Sequence, residues 1–421
     1  MSYPDTVRYL YSLGNELKPG AKFTLEPMRT LLSGLGNPEN EQRFVHVAGT
    51  NGKGSTCATI ASILRKAGFR TGLYTSPHLI EPIERININS SAVTPAQFAS
   101  AFETVHTTAE QLLANDRLAA HPSYFETVTA MALLLFRESC DIAVLEVGLG
   151  GRLDATNVVR PELCVITPVS YDHEAYLGNT LGSIAVEKAG ILKPQVPVFM
   201  SPQLPGAEAV IAARARELGC ELIRTADHTI SDIRMTPRGS EFRLSGQAYY
   251  CVLPGRHQID NARTAILACR HLQISEHAIQ AGLETVVWPG RLEFVSQNPD
   301  FVLDGAHNPA GAAALAAYIR EFCANRPVWL VYGAMRDKAI DEVTQQLFPL
   351  AAKLILTAPS FPRALRPEAI LELTSHPNAE TAATVSKAIE IARIAPSEAI
   401  VFFTGSLFLV GEARALLTGS E

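Results

Sequence analysis

The run Val45-His46-Val47-Ala48 leads into Gly49-Thr50-Asn51-Gly52-Lys53-Gly54-Ser55-Thr56 and then into the helical pattern Cys57-Ala58-Thr59-Ile60-Ala61-Ser62-Ile63-Leu64. Glycines let backbone N–H groups converge on phosphate oxygens, and a helix N-terminus adds the positive end of its dipole. A lysine at the position of Lys53 meets β- and γ-phosphates, and a hydroxyl such as that of Ser55 can ligate Mg²⁺. The pattern predicts a nucleoside triphosphate site. A glycine turn with an incidental lysine is the plainer alternative, and the strand–loop–helix context weighs against it.

Further candidates fall where strands should end. Glu146 closes the apolar run Ile142-Ala143-Val144-Leu145 and precedes Gly148-Leu149-Gly150-Gly151-Arg152-Leu153-Asp154. Ligands of open α/β sheets gather beyond the carboxyl ends of strands, so this carboxylate is placed to hold Mg²⁺. Asp172-His173 follows the run Leu163-Cys164-Val165-Ile166 in the same way. His173 reads equally as a structural hydrogen-bonder or a ligand, and an imidazole is an unusual partner for Mg²⁺. Lys188 sits in the apolar helical turn Ile184-Ala185-Val186-Glu187-Lys188-Ala189. Either it snorkels to solvent, or burial lowers its pKa and the neutral amine takes up CO₂ as a carbamate. Later in the chain Arg291 could clamp phosphate, and Asp304 could bind a ribose hydroxyl within Asp304-Gly305-Ala306-His307-Asn308-Pro309. Asn308 before Pro309 is equally an ordinary helix cap.

The elements that must position these groups follow from pattern. At 421 residues the chain exceeds the roughly 250–300 at which one core stops growing, so two domains are expected. Strand and helix patterns alternate, predicting an α/β fold with mostly parallel sheet. A helix is expected over 125–136 and strands at 142–147, 163–166 and 197–200. Between about 221 and 253 the runs become short and alternating, predicting a smaller antiparallel hairpin unit. Trp288-Pro289-Gly290-Arg291 breaks the following helices and marks the boundary, giving domains 1–288 and 289–421. Strands at 301–304, 327–331, 353–356 and 399–403 then predict a second, Rossmann-like domain. It lacks the G-x-G-x-x-G fingerprint of an independent dinucleotide site.

Apolar residues make up 47% of the chain, enough for both cores, and the formal net charge of −6 argues against a nucleic-acid or anionic-membrane binder. The seven cysteines are scattered without metal-ligand spacing and read as thiols of a reducing compartment. The N-terminus has no secretory pattern, and no apolar run reaches the about 18 residues of a membrane span. A cytoplasmic, monomeric protein acting on small molecules is expected.

Taken together, the motifs resemble the folylpolyglutamate synthase family, within the ATP-dependent amide-forming ligases that include the Mur peptidoglycan ligases. The resemblance rests on His46 to Ser55, Thr75-Ser76-Pro77-His78-Leu79 with Glu84-Arg85-Ile86, and Leu145 to Asn157. It continues through Asp172-His173, Glu187-Lys188-Ala189-Gly190-Ile191, Pro254-Gly255-Arg256-His257-Gln258 with Asn261-Ala262, Pro289-Gly290-Arg291, Asp304 to Asn308 and Thr404-Gly405-Ser406-Leu407. Only Thr50 and Asn51 separate Gly49 from Gly52, and Gly54 intervenes between Lys53 and Ser55. That departure from the common P-loop points away from kinases and GTPases, and Gly54 favours the folate enzymes over the Mur ligases.

The resemblance implies that Ser55, Ser76, Glu146 and His173 organise Mg²⁺, as two ions, and that Lys188 is the carbamoylated lysine. It implies catalytic roles for Lys53, Glu146, His173 and Lys188. Asn261, Arg291, Asp304 and His307 match ATP contacts. Phe23-Thr24-Leu25-Glu26, Pro122-Ser123-Tyr124-Phe125 and Leu153-Asp154-Ala155 match segments that hold the pterin in bifunctional members. The implied substrates are dihydropteroate, reduced folates, L-glutamate and ATP. Polyglutamylation alone, a Mur-type amino-acid ligase, a small-molecule kinase and a non-enzymatic nucleotide binder are the competing readings.

Overall fold

The β-branched and apolar runs become β1 (Arg43–Ala48), β2 (Thr71–Tyr74), β3 (Ile86–Ile88), β4 (Ser91–Ala92), β5 (Ile142–Glu146), β6 (Leu163–Ile166), β7 (Val198–Met200) and β8 (Leu222–Arg224). They form one sheet in the order β4-β3-β2-β5-β1-β6-β7-β8. Pairing is parallel from β2 to β8 and antiparallel at the β2–β3–β4 edge. β1 and β5 are buried at nearly every position, as expected for strands covered on both faces. This computed structural model describes residues 1–14, 24–336 and 340–419. Contacts divide them into two units, Met1–Thr229 with Asp260–Thr285, and Ile230–Ile259 with Val286–Glu421.

In the first unit the helices include α1 (Tyr3–Ser12), α2 (Glu26–Gly34), α3 (Lys53–Lys66), α4 (Pro95–Ala114), α5 (Tyr124–Ser139), α6 (Glu174–Leu177), α7 (Leu181–Ala189), α8 (Pro205–Glu217), α9 (Arg256–His271) and α10 (Glu276–Thr285). Residues 256–259 of α9 belong to the second unit. The helix α3 carries the glycine loop at its start and is buried at every position from Ser55 to Leu64. It needs no polar face because α10 packs against it: Ser62 Oγ donates to Gly282 O at 2.9 Å, and a Cβ at Gly282 would lie 2.5 Å from Ile63 Cα. The start of α5 is set by a capping box, in which Glu126 N donates to Ser123 Oγ and Ser123 N donates to Glu126 Oε2.

In the second unit β9 (Ile230–Thr236), β10 (Gly239–Leu244) and β11 (Gln247–Cys251) form a three-stranded antiparallel sheet. β12 (Glu293–Ser296), β13 (Asp300–Leu303), β14 (Val328–Tyr332), β15 (Lys353–Leu356), β16 (Ala379–Thr381) and β17 (Ile400–Thr404) form a six-stranded sheet ordered β12-β13-β17-β14-β15-β16. It is parallel except at β12. The antiparallel sheet thus groups with the later strands, where the sequence pattern places it before the boundary at 288. Tyr318 Oη donates to Pro237 O at 2.8 Å, and the Arg238 guanidinium lies 4.0 Å from the Phe294 ring centroid. Such contacts between distant segments leave no trace in local periodicity. The predicted hairpin segment also ran too long at its start, because β8 joins the large parallel sheet.

Candidate active site

The carboxyl ends of four adjacent strands, β2, β5, β1 and β6, carry candidate residues of the first unit. Register places Val47 beside Glu146, Ala48 beside Ile166 and Tyr74 beside Leu145, so the segments leaving these strands emerge along one edge. That edge is where open α/β sheets bind ligands.

After β1 the loop turns sharply. Gly49 and Gly52 have φ of +148° and +83°, and Gly52 is the N-cap of α3, offering no side-chain acceptor to the helix's first amides. A Cβ at Gly49 would overlap Thr167 Oγ1, and one at Gly52 would lie 2.5 Å from Asn261 Oδ1. Glycine is therefore required on packing grounds as well as conformational ones. The segment after β6 ties the loop down. Thr50 N and Asn51 N both donate to Pro168 O, at 2.9 and 3.2 Å, and Thr50 Oγ1 donates to Ser170 O at 3.0 Å. Of the expected phosphate-facing amides, those of Thr50 and Asn51 are thus engaged by Pro168. Lys53 Nζ donates to Thr50 O at 3.2 Å. Gly54, Ser55 and Thr56 continue the first turn of α3, with Ser55 and Thr56 buried and Thr56 N donating to Gly52 O.

Glu146 ends β5, buried at 5% exposure, and its Oε2 accepts from Ser76 N at 3.1 Å. Ser76 Oγ is itself buried and has no hydrogen-bond partner among the described residues. A buried orphan hydroxyl beside a carboxylate suits an oxygen-seeking cation such as Mg²⁺, so these residues fit the ion that the sequence implies.

Lys188 is buried at 4% exposure, which excludes the snorkelling alternative. Burial pushes its ammonium down to about 7. The charge of Lys53 acts in the same direction, and Asp172, Asp154 and Glu187 oppose it. Asp172 Oδ1 accepts from His173 N and lies 3.9 Å from His173 Nε2, and His173 has a left-handed φ of +53° at the start of α6. Lys188 and the 148–157 loop are also locked in place sterically. A Cβ at Gly151 would meet Glu187 O at 2.7 Å, and one at Gly190 would meet Arg152 Cβ.

Asp154, expected at a pterin site, is turned toward its own loop. It accepts from Gly148 N, Leu149 N, Thr156 N and Thr156 Oγ1. Burial raises its pKa and these bonds oppose the rise. Leu153 and Ala155 flank it, and Ala155 is buried. The loop meets the start of α5, since a Cβ at Gly148 would lie 2.6 Å from Phe125 Cζ. Pro122, Ser123 and Tyr124 precede that contact, and α2, with Leu25 and Glu26 at its start, lies against the turn Ala155–Val158. Thr24 is exposed, and Phe23 lies outside the described residues.

Tyr124 also belongs to a cluster whose other members had no assigned role. The Tyr11 and Tyr124 rings lie parallel with centroids 5.8 Å apart, and Arg85 stands 5.2 Å over Tyr124. Arg85 Nε donates to His78 Nδ1 at 2.9 Å, and burial lowers the His78 pKa to about 3. Its signal in the sequence lies in the motif residues His78 and Arg85 and in Tyr124 of the pterin-site segment.

In the second unit Asp304 follows β13 and is buried, accepting from Leu292 N and Ala306 N, each at 3.1 Å. Burial raises its pKa and Arg291 opposes that rise. Arg291 packs against Gly305, and His307 Nδ1 lies 2.8 Å from Gly305 O. His257 is half-buried nearby, its pKa held down to about 4 by desolvation and by Arg291. Asn308 Oδ1 accepts from Gly311 N at 2.9 Å, so it does cap the following helix, α11 (Pro309–Phe322).

Comparison with known proteins identifies the family. The Mur ligase middle domain family matches residues 47–269, and the Mur ligase, glutamate ligase domain family matches 290–407. A dihydrofolate synthase/folylpolyglutamate synthase of Bacillus subtilis is 35% identical over 433 residues, covering 99% of each chain. A folylpolyglutamate synthase of Lacticaseibacillus casei is 33% identical over 435 residues, covering 100% of each. Among solved structures, Mycobacterium tuberculosis folylpolyglutamate synthase complexed with ADP and AMPPCP superposes with a TM-score of 0.90 at 31% identity, covering 99% of each chain. Escherichia coli FolC in complex with DHPP and ADP gives 0.88 at 30% identity, covering 100% of this chain and 98% of that one. No helix among the described residues is long and apolar enough to cross a membrane.

Proposed function

The chain belongs to the folylpolyglutamate synthase family of Mur-type ligases, and from that premise we propose that it joins L-glutamate to dihydropteroate and to the γ-carboxylate of reduced folates, cleaving ATP to ADP and phosphate. The observation that carries the proposal is the convergence on one sheet edge of the Lys53 loop, the Ser76–Glu146 pair and the buried Lys188.

A carboxylate does not condense with an amine at neutral pH without activation. The acceptor's carboxylate oxygen attacks the γ-phosphorus, the bond to the β-phosphate oxygen breaks, and an acyl phosphate forms with ADP as leaving group. The glutamate amine then attacks the acyl carbon, loses a proton and expels inorganic phosphate. Lys53 and the first amides of α3 stabilise charge on the transferring phosphoryl group, and the rest is positioning. Gly49, Thr50, Asn51, Gly52, Gly54, Ser55 and Thr56 shape the phosphate cradle, and Asn261, Arg291, Asp304 and His307 contact the nucleotide. Ser55, Ser76, Glu146 and His173 would hold Mg²⁺, with oxygen donors from all but His173. When bound, Mg²⁺ neutralises charge on the β- and γ-phosphates. Lys188, as the neutral amine, adds CO₂ to give a carbamate and a proton, converting a cation into an anion beside the metal ligands. Thr24, Leu25, Glu26, Pro122, Ser123, Tyr124, Phe125, Leu153, Asp154 and Ala155 line the acceptor site. The enzyme acts as a cytoplasmic monomer.

Phosphate release with Mg-ATP and L-glutamate, with dihydropteroate, a reduced folate or no acceptor, tests the proposal. Glutamate-dependent release with both acceptors is the expected result. Release with the reduced folate alone would limit the activity to polyglutamylation, a reading favoured by the name of the Lacticaseibacillus relative. Release with neither would overturn it.

A further inference from the structure

Away from the sheet edge, two imidazoles and a carboxylate converge between α4 and the segment entering α5. His106 Nδ1 lies 3.3 Å from His121 Nε2. Glu110 Oε1 lies 3.6 Å from His121 Nε2 and 3.9 Å from His106 Nδ1. We propose that His106, Glu110 and His121 form a binding site for a divalent transition-metal ion of the Zn²⁺ type, separate from the nucleotide site and independent of the ligase reading.

The spacing argues for this. Ligands about 2.0–2.1 Å from a tetrahedral Zn²⁺ stand roughly 3.3–3.4 Å apart. The two imidazole nitrogens already have that separation, and the carboxylate reaches it with a small side-chain rotation. His106 and Glu110 are four residues apart on α4 and so share one face of the helix.

The tautomer argues for it independently. His121 Nδ1 lies 3.1 Å from Pro122 O, a carbonyl that can only accept. Nδ1 donates to this carbonyl, and in the neutral ring this leaves the Nε2 lone pair toward His106 and Glu110. Metal-ligating histidines are held this way, with the distal N–H donated to a carbonyl. Packing fixes the rings as well. Phe102 stacks on His106 at 5.4 Å and 9°, and Tyr9 from α1 meets the His106 and His121 rings edge-on at 4.8 and 6.0 Å.

Donor chemistry selects the ion. Two nitrogens and one carboxylate suit Zn²⁺, whereas Mg²⁺ prefers an all-oxygen shell. Glu110 is 56% exposed, so the ion has an entry path and water can complete four-coordination. Occupancy would tie α4 to the residues preceding Ser123.

The competing account is a direct imidazole–imidazole hydrogen bond with Glu110 as an incidental neighbour. Zn²⁺ titration of the chelator-stripped full chain by calorimetry, without nucleotide or Mg²⁺, separates the two. One equivalent is expected to bind with micromolar or tighter affinity and to raise the melting temperature. Co²⁺ should give the visible d–d band of a four-coordinate centre. His106→Gln and His121→Gln should each weaken binding by roughly 100-fold, and the exposed Glu110→Gln by roughly tenfold. The metal-free melting temperature of Glu110→Gln should match that of the parent, so that variant reports ligation even where a histidine variant folds poorly. No Zn²⁺ binding by the parent, or binding unchanged in Glu110→Gln and in whichever histidine variants fold, would overturn the site.

Discussion

The backbone N–H of Ser76 donates to Glu146 Oε2 at 3.1 Å while the Ser76 hydroxyl is buried without a partner among the described residues. One residue therefore both aims the carboxylate and offers a second oxygen next to it. Ser76→Ala should leave the fold intact, because it deletes an orphaned hydroxyl, and should raise the Mg²⁺ concentration for half-maximal activity several-fold. An unchanged Mg²⁺ dependence would remove Ser76 from the metal shell.

Lys53→Ala and Glu146→Ala should each lower turnover by roughly 10²–10³-fold or more, with little change in melting temperature. Steady-state phosphate release on the purified variants checks this. Near-normal activity in either would overturn the site assignment.

Lys188→Ala should lose most activity and regain part of it with added short carboxylates, which replace the carbamate's negative charge. Absence of rescue would argue against the carbamate. The pH dependence of stability gives a second check. The folded-state pKa, about 7, is below the ordinary 10.5, so the unfolded chain binds the extra proton between those values. Stability should therefore rise with pH across that window, by at most about 1.4 kcal/mol per pH unit, and fall as pH drops toward 7. In CO₂-free buffer, denaturant melts of Lys188→Met should lack this rise.

Gly52→Ala should weaken ATP binding by roughly tenfold, since the new methyl group collides with Asn261 Oδ1 at a φ that side chains disfavour. Calorimetric titration with a nonhydrolysable nucleotide would show it. Affinity equal to the parent's would mean that Asn261 moves without consequence.

Asn308→Ala should cost about 1 kcal/mol through loss of the helix cap, and Asn308→Ser should recover most of it. Asp304→Ala should cost more, roughly 2–5 kcal/mol, because the buried amides of Leu292 and Ala306 lose their acceptor. Thermal melts would rank the two.

The strand–loop–helix junction at 43–66 was legible because its glycines, lysine and hydroxyls sit in a fixed order between an apolar strand and a helix. Strands such as 163–166 and 353–356 were legible because they are short apolar runs between breakers. Two-residue β4 and the exposed β9 carry no such pattern, and β9 groups with distant residues through contacts that periodicity does not encode. Lys188 remained ambiguous because a lysine in an apolar turn is consistent with either a solvent-facing or an interior position. Only the packing of the 148–157 loop against α7 decides between them. The sequence pattern also gave no sign that the Asp154 carboxylate holds the amides of its own loop. His106, Glu110 and His121 gave no warning, since their meeting depends on how α4 turns back toward α5.

Pro168, whose own nitrogen carries no hydrogen, accepts from both Thr50 and Asn51 through one carbonyl oxygen. The glycine loop is thereby held in shape by the neighbouring strand exit. A loop preorganised in this way loses little conformational entropy when phosphate arrives, so more of the contact energy is available for affinity. Any substitution that loosens 167–170 should then appear as a larger entropic penalty on nucleotide binding, although those residues lie outside the glycine loop itself.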